Sequence, residues 1–387
     1  MAERMLVTGG AGFIGSHLVD ALLRRGDTVR VLDSLLPQAH PTGAARFLSP
    51  DAELIVGDLR DRATVDRALD GVTGVWHQGG IVGNGQSMYD IRRYVDLNAL
   101  GTATLLEAML ARRAQFRRLV IASSMVVYGD GAYLCPTDGQ VARVQRPLER
   151  LRRAEWEPLC GRCGREVQPT ATPEDHPLHP TSTYGITKRD QEELALVLGQ
   201  AYGLPTIALR YLNVYGSRQS LSNPYTGVAA IIATRLLNGR PPIIFEDGQQ
   251  RRDFVHAGDV VRANLAAAEA PAPALYQAYN VGTGRSVTVL ELARLIAGGL
   301  GTSPDIVPSG EFRAGDIRHC FGDVARAKAL LGWEAERRLE DGIVELLDWA
   351  AGEKPHDWTE RANAELRAMR LIGSGEVSGR GGPGTAS

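Results

Sequence analysis

Short apolar runs alternate with stretches of helical periodicity over the first 210 residues. The runs that predict buried strands lie at residues 5–7, 29–32, 54–56, 75–77, 119–122 and 207–210. Between the first two, Leu18, Val19, Leu22 and Leu23 recur at helical spacing, and Gly26 ends that helix. Strands that alternate with helices predict an α/β fold with a doubly wound parallel sheet.

The pattern changes at three places, which divide the chain. Residues from about 133 to about 173 interrupt the alternation and carry three of the four cysteines. Beyond residue 210 the chain is richer in loops, so we expect residues 1–210 to form one domain and residues 211–355 to form mainly a smaller lobe. Residues 373–387 are rich in glycine and serine and are expected to be disordered.

Composition narrows the possible partners and the compartment. The formal charge is −2, which gives no bulk attraction to nucleic acid or to an anionic membrane. No apolar run approaches the length of a membrane span. Four cysteines are too few for a disulfide scaffold, and the chain enters a strand too early to leave room for a secretory signal, so we expect a cytoplasmic location.

A glycine-rich turn follows the first strand. Gly9, Gly12 and Gly15 have the spacing G-x-x-G-x-x-G, and Phe13 and Ile14 open the helix that follows. Glycines let the backbone approach a diphosphate, and a helix N-terminus offers it free N–H groups. An ordinary tight turn is the alternative.

A carboxylate strengthens the dinucleotide interpretation. Asp33 ends the second strand, 21 residues after Gly12, where it can bind both ribose hydroxyls and repel a 2′-phosphate. A Rossmann domain that binds NAD rather than NADP is therefore predicted, although Asp33 could instead form a turn. Asp58 ends the third strand, where its side chain could reach the adenine amine. The alternative is that Asp58 is a solvated residue of a turn.

Three residues form a candidate catalytic set. Tyr184 and Lys188 lie four residues apart and share a helix face, and Ser124 ends a buried strand. A tyrosine, with an ordinary pKa of about 10, is a poor base at neutral pH. We expect the Lys188 ammonium and the positive nicotinamide ring to lower the pKa of Tyr184. Alternatively, Y-x-x-x-K is a chance surface pattern and Ser124 caps the backbone.

These motifs, in this order, resemble the extended short-chain dehydrogenase/reductase family, specifically nucleotide-sugar epimerases and dehydratases. The resemblance spans about residues 5–350 and includes Asn98 in N-A-L-G-T, the R-Y-L-N-V-Y-G segment at 210–216 and R-D-F-V-H at 252–256. It implies that Asp58, Leu59 and Asn98 also contact NAD. It further implies a C-terminal substrate lobe, Asn213 and Arg252 facing the diphosphate of a nucleotide sugar, and a homodimer.

Two apolar residues distinguish epimerase from dehydratase. Dehydratases of this family carry an Asp-Glu pair where this chain has Met125 and Val126, which cannot exchange protons. The resemblance therefore favours epimerisation at C4 through a transient 4-keto sugar. The chain also has H-Q-G-G at residues 77–80 where many members have H-L-A-A, so the local packing must differ.

Further segments resemble the dTDP-L-rhamnose 4-epimerase branch. They are residues 86–89, 221–228 and 245–248, together with 315–320, which includes Asp316 as a predicted substrate contact. UDP-glucose/galactose 4-epimerase is the alternative substrate assignment. A non-catalytic nucleotide-binding module whose insertion recruits a partner, and a net reductase consuming NAD(P)H, are alternatives of other classes.

The insertion contains a candidate metal site. Cys160 and Cys163 form a C-x-x-C knuckle, and Cys135 with Asp138 could complete a tetrahedron around zinc. A metal would stabilise a segment too small to have a core of its own. The alternative is a lapsed site with free thiols. Because the insertion leaves the sheet just after Ser124, we expect it to form a lid or rim at the active-site mouth.

Overall fold

A seven-stranded parallel sheet forms the centre of the computed structural model, which describes residues 3–375. In chain order its strands are β1 (Arg4–Thr8), β2 (Thr28–Asp33), β3 (Glu53–Val56), β4 (Gly74–His77), β5 (Arg118–Ser124), β6 (Thr206–Tyr211) and β7 (Gln277–Val281). The spatial order is β7-β6-β5-β4-β1-β2-β3, with every adjacent pair parallel. This order reverses between β1 and β4, so the predicted Rossmann fold is confirmed.

Helices cover both faces of the sheet. They are α1 (Phe13–Arg24), α2 (Arg62–Ala68), α3 (Gly101–Leu110), α4 (Thr183–Tyr202) and α5 (Ala257–Glu269). Side chains alternate across each strand, so Val7 of β1 packs in the core under α1 and α5 while Leu6 packs in the core under α2 and α3. Within residues 3–375 none of the helices is both long and apolar enough to cross a membrane.

A second lobe packs over the carboxyl edge of the sheet. Its helices are Val228–Leu237, Val289–Gly299, Leu339–Glu353 and Thr359–Ala368. Two shorter helices, Ile91–Tyr94 and Ala325–Leu331, lie beside the main sheet. Its short strands are Asn213–Tyr215 with Phe254–His256, and Arg251–Arg252 between Val287–Thr288 and His319–Cys320. The predicted boundary at residue 211 needs correction, because α5 and β7 return to the main sheet as a further crossover unit.

The insertion forms a small body of its own. Tyr133–Cys135 pairs with Gly139–Val141 and with Gln168–Pro169, and Val144–Gln145 pairs with Leu159–Cys160. One short helix, Leu148–Arg152, lies in the connection between the two strands of the second pair.

The end of the described chain is ordered where disorder was predicted. Ile372–Ser374 forms an antiparallel pair with Glu311–Arg313, and Gly373 packs against Phe312. The prediction of disorder from residue 373 is therefore wrong for residues 373 and 374, because strand pairing supplies hydrogen bonds that composition alone does not reveal. Residues 376–387 lie outside the described residues.

A buried ion pair joins the sheet to α4. Arg210 of β6 donates from Nη2 to Glu192 Oε1 at 2.5 Å, and both residues are almost fully buried. Ser123 of β5 donates its hydroxyl to Glu192 Oε2 at 2.5 Å. Arg210 also donates to the Tyr128 hydroxyl at 2.8 Å and to the backbone oxygen of Glu174 at 2.7 Å. Two strands and α4 therefore share one charged cluster.

Glu192→Ala is expected to lower the free energy of unfolding by about 3–5 kcal/mol, because it leaves the Arg210 charge buried without its partner. Glu193→Ala is the matched control, since Glu193 is exposed and its pair with Arg189 should contribute at most about 1 kcal/mol. Urea denaturation followed by circular dichroism measures both changes. Equal losses from the two variants would contradict the assigned role of the buried pair.

Candidate active site

A cavity of about 750 Å³ opens where the carboxyl ends of the central strands face the second lobe. Ligands of open α/β sheets bind at this edge, next to the point where strand order reverses. The predicted site residues that line the cavity are Gly9, Gly12, Phe13, Ile14, Gly15, Asp33, Asp58, Leu59, Ser124, Tyr184, Lys188, Asn213, Arg252 and Asp316. One cavity thus contains the candidate cofactor, catalytic and substrate residues.

The glycine-rich loop forms a cradle that side chains would fill. Gly9 has a φ of +67°, in the left-handed region that favours glycine. A Cβ at Gly15 would collide with the backbone oxygen of Gly9. The helix α1 begins directly after Gly12 without a capping side chain, so its first amides face the cavity free for an anion. This loop fits a dinucleotide diphosphate.

Asp33 lies beside this cradle at the end of β2. Its Oδ2 accepts a hydrogen bond from the Ala11 amide at 3.1 Å, and its Oδ1 accepts one from the Leu35 amide at 2.9 Å. The carboxylate therefore has a fixed position on the cavity wall. Asp58 is held by Arg60, whose side-chain hydrogen bond lowers the pKa of Asp58 despite partial burial.

The catalytic helix is anchored at its start. Ser182 caps α4 by accepting a hydrogen bond from the Gly185 amide at 3.1 Å, and Ser87 Oγ accepts one from the Tyr184 amide at 3.0 Å. One turn later, Lys188 Nζ donates to Gln191 Oε1 at 2.8 Å and to the backbone oxygen of Ala122. These bonds hold Tyr184 and Lys188 on the same side of the helix, facing the cavity.

Burial has the largest effect on the pKa values of the candidate acid–base pair. It raises the pKa of Tyr184 to about 12, and the hydrogen bond with the Ser124 hydroxyl acts in the lowering direction. Burial also lowers the pKa of Lys188 to about 8, while the Glu192 carboxylate opposes that change. The lowering of the Tyr184 pKa by the Lys188 ammonium together with a positive nicotinamide ring stays a prediction for the complex.

Asn98 does not lie on the cavity wall as predicted. It is fully buried, where its Oδ1 accepts from the Ile81 amide at 2.8 Å and its Nδ2 donates to Thr187 Oγ1 at 3.1 Å. The predicted cofactor contact of Asn98 stays a prediction, and the bonds observed here give this side chain a positioning role. Asn98 connects the loop after β4 with the catalytic helix.

The opposite wall contains the predicted substrate residues. Arg252 donates from Nη1 to the backbone oxygen of Arg318 at 3.0 Å and from Nη2 to that of Ile317 at 2.5 Å. Asn213 has a buried Oδ1 without a hydrogen-bond partner among residues 3–375, which leaves it available to a ligand. Burial alone would raise the pKa of Asp316, but the guanidinium groups of Arg313, Arg252 and Arg146 lower it below its usual range.

The floor of the cavity near Ser124 is apolar. Met125 and Val126 both line it, as the epimerase interpretation requires. The H-Q-G-G departure also has a steric reason. A Cβ at Gly79 would lie 2.8 Å from Leu59 Cδ1, and one at Gly80 would lie 3.0 Å from Asn98 Oδ1.

Some functional contacts were not predicted from the sequence. Tyr225 lines the cavity, and its hydroxyl lies 2.8 Å from both the Tyr89 hydroxyl and Glu365 Oε2. Three distant segments meet here, so spacing gave no indication of the cluster. Gln191 could have been found, because it lies three residues after Lys188 on the same helix face.

The insertion brings its four candidate ligands together but does not cover the cavity. The sulfur atoms of Cys135, Cys160 and Cys163 and a carboxylate oxygen of Asp138 all lie within 4.8 Å of one another. None of residues 133–173 belongs to the cavity lining. The insertion instead contacts the substrate wall, through the bond of Arg146 to the backbone oxygen of Asp316, and its role as a lid or rim at the mouth stays a prediction.

The fold is that of a dinucleotide-binding α/β domain, and the candidate tyrosine lines the same cavity as the glycine-rich loop. Residues 5–149 and 160–282 match the NAD dependent epimerase/dehydratase family, and the chain belongs to that family. Its enzyme class is isomerase, of the NAD-dependent nucleotide-sugar 4-epimerase type. Residues 150–159 of the insertion fall between the matched ranges.

Individual relatives agree with this class. The dTDP-L-rhamnose 4-epimerase of Burkholderia thailandensis is 35% identical over 354 residues, which cover 91% of this chain and 96% of that protein. The structure of Thermotoga maritima UDP-glucose 4-epimerase with UDP-glucose has a TM-score of 0.73 at 31% identity, covering 90% of this chain and 99% of that one. The Thermus thermophilus UDP-glucose 4-epimerase complex with NAD gives 0.71 at 32% identity, with coverage of 90% and 99%.

Tyr184→Phe is expected to lower turnover of the nucleotide sugar about 10²- to 10⁴-fold, because it removes the acid–base group and keeps the ring. The ring packs edge-on against Tyr94, so the fold should be preserved. Tyr202→Phe, on the exposed end of the same helix, is the control. Initial rates by NMR and the NAD content of each purified variant are the measurements. Unchanged turnover in Tyr184→Phe would contradict the assignment.

Proposed function

We propose that the enzyme interconverts dTDP-L-rhamnose and dTDP-6-deoxy-L-talose by inverting C4. The observation that carries this proposal is the shared cavity, in which Tyr184, Lys188 and Ser124 face the glycine-rich loop and Arg252 across an apolar floor. The sugar assignment is supported by the 35% identity to the Burkholderia thailandensis enzyme over nearly the whole chain.

The residues divide the chemistry among them. The Tyr184 oxygen takes the proton from the C4 hydroxyl and later returns it, so it acts as base and then as acid. Ser124 hydrogen-bonds both the sugar C4 oxygen and the Tyr184 phenol. These two bonds align the C4 hydroxyl with the Tyr184 oxygen for proton transfer. When bound, NAD would supply the acceptance of the C4 hydride and its return to the opposite face, so no second substrate would be consumed.

The two basic groups act differently. A Lys188 ammonium with a pKa of about 8 is mostly protonated at neutral pH, and its positive charge favours the phenolate once a ligand charge assists. Arg252 holds the diphosphate by its positive charge, and by the guanidinium N–H groups that its bonds to the 317 and 318 backbone oxygens leave free, while the sugar turns between its two orientations.

All the predicted cofactor residues except Asn98 lie on the cavity wall. The loop from Gly9 to Gly15 would hold the diphosphate, and Asp33 would bind the adenosine ribose, which favours NAD over NADP. Leu59 and Asp58 would contact the adenine. These assignments are supported by the fixed Asp33 carboxylate and by the free amides of α1.

UDP-glucose/galactose 4-epimerase is the second candidate function. It is favoured by the TM-scores of 0.73 and 0.71 to the two UDP-glucose 4-epimerase structures. A non-catalytic binding module is disfavoured by the complete Ser124, Tyr184 and Lys188 set in one cavity.

We also propose that the chain forms a homodimer in the cytoplasm. Ile186, Leu194 and Val197 form an exposed apolar face on α4, with 65% of Val197 exposed. Leu100, on the adjoining helical segment, is 50% exposed. An apolar face of this kind on a nucleotide-binding domain suits burial against a second copy. Sedimentation velocity that gives a monomer at micromolar concentration would contradict it.

A structural Zn²⁺ on Cys135, Asp138, Cys160 and Cys163 is a further proposal. These side chains lie outside the cavity lining, so the metal would stabilise the insertion rather than contact the sugar. Three thiolates and one carboxylate are suitable ligands for zinc.

Purified protein incubated with dTDP-L-rhamnose and no added NAD is expected to produce the C4 epimer, detected by proton NMR. Its kcat/KM should exceed that for UDP-glucose by about tenfold or more. A preference for UDP-glucose would support the second candidate. No epimer from either sugar would favour the binding module, and stoichiometric loss of NADH or NADPH absorbance would favour a net reductase.

A further inference from the structure

The four side chains of the insertion have the spacing of a tetrahedral metal site. Cys135 Sγ lies 3.5 Å from Cys163 Sγ, and Asp138 Oδ2 lies 3.2 Å from Cys160 Sγ and 3.6 Å from Cys135 Sγ. Ligands about 2.0–2.3 Å from a tetrahedral zinc are separated by about 3.4–3.8 Å. The observed distances fall in or just below that range. They are far longer than the roughly 2.05 Å of a disulfide bond.

Each of the two cysteine turns, at Cys135 and at Cys160, has a backbone amide that donates to the cysteine sulfur. The Thr137 amide donates to Cys135 Sγ at 3.4 Å, and the Arg162 amide donates to Cys160 Sγ at 3.4 Å. Each amide lies two residues after its cysteine, and such bonds stabilise thiolates. The local geometry therefore suits charged sulfur ligands.

The insertion has too little apolar core to fix its own shape. Its buried apolar cluster consists of Tyr133, Cys135, Val141, Cys160 and Val167. Two of these five are candidate ligands, so removing a metal would loosen a large part of the cluster. Small bodies of this kind commonly need a metal or a disulfide to fold.

From this body, two charged residues reach the substrate wall. Arg146 donates from Nη1 to the backbone oxygen of Asp316 at 2.9 Å. Glu157 accepts from Arg318 Nη2 at 2.6 Å and contacts His319 Nε2 at 3.0 Å. Arg318 is fully buried, whereas 36% of the Glu157 side chain is exposed, so loss of Glu157 would leave a buried guanidinium with one partner fewer.

Both contacts converge on one buried carboxylate. Glu246 accepts from Arg146 Nη2 at 2.5 Å and from Arg318 Nη1 at 2.8 Å. Glu157 lies in residues 150–159, between the two ranges that the family model matches, whereas Arg146 and Glu246 lie inside those ranges. The contact made by Glu157 is therefore the part of this brace that the family match does not include.

The segment held in this way, residues 313–318, forms the wall opposite the cofactor loop. Its residues 313–317 line the cavity, and its backbone oxygens at 317 and 318 hold Arg252. Thr181 also donates its hydroxyl to the Gly315 oxygen at 2.8 Å, three residues before Tyr184. A shift of this segment would displace the diphosphate-binding guanidinium without touching the cofactor loop.

We propose that the zinc-stapled insertion positions segment 313–318, and through it Arg252, for binding of the nucleoside diphosphate. Arg146 and Glu157 are the positioning residues that transmit this effect. The inference rests on the proposed zinc site and the proposed nucleotide-sugar function. The insertion then affects the affinity for the substrate and has little effect on cofactor binding or on the chemical step.

The test compares Glu157→Gln with Glu149→Gln, an exposed glutamate of the same insertion. Glu157→Gln and Arg146→Met are each expected to raise the Kd for dTDP, measured by calorimetry, and the KM of the sugar about three- to tenfold. Zinc content by mass spectrometry, NAD content and kcat should stay within about twofold of the parent protein. Arg146→Lys should recover part of the affinity, because it restores a donor.

The metal is tested separately. The parent protein and Cys320→Ser should contain about one zinc per chain. The double variant Cys160→Ser with Cys163→Ser should contain none and should show the same rise in the dTDP Kd. No zinc in the parent protein, or a disulfide found by thiol titration, would overturn the metal site. Unchanged dTDP affinity in Glu157→Gln and Arg146→Met would overturn the positioning role. If the sugar assignment fails instead, UDP replaces dTDP as the probe, and the difference between variants remains measurable.

Discussion

The buried pair of Arg210 and Glu192 is the interaction on which the geometry of the site depends. It joins β6 to the helix that carries the candidate base, one turn beyond Lys188. The Ser123 hydroxyl joins the same carboxylate from β5, directly before Ser124. A charged cluster removed from water cannot shift without losing partners, so it fixes the distance between helix and strand. This distance sets the positions of the Ser124 hydroxyl, the Tyr184 phenol and the Lys188 ammonium relative to one another.

Most of the cofactor half of the site could be predicted from the sequence because its determinants are local. The glycine loop lies within eight residues, and the Tyr184–Lys188 pair lies within one helical turn. The strands were found from their apolar runs for the same reason. The effect of burial on the pKa of Tyr184 was not predicted, because burial is a property of the assembled cavity, which no motif encodes.

The substrate half of the site depends on contacts between segments that are distant in sequence. Sequence patterns therefore predicted fewer of its contacts than in the cofactor half. The bonds of the Asn98 amide to Ile81 and Thr187 were not evident from its motif. β7 was missed because Gln277 and Asn280 interrupt its apolar run, and the strand at Ile372–Ser374 because two of its three residues are glycine and serine. The four metal-ligand candidates were predicted as a set because two of them share a short C-x-x-C motif. Their position behind the substrate wall was not evident from that motif.

The close approach of Gly9 and Gly79 limits how this protein can diverge. A Cβ on Gly9 would lie 2.8 Å from the Cα of Gly79, so two loops from adjacent strands touch through bare backbone. A side chain gained on Gly9 would push the second loop away, and with it Gly80 and the neighbouring Asn98. Descendants of this sequence can therefore change either glycine only together with a compensating shift of the other loop. Both positions should therefore remain glycine while the exposed surface of the insertion accumulates substitutions.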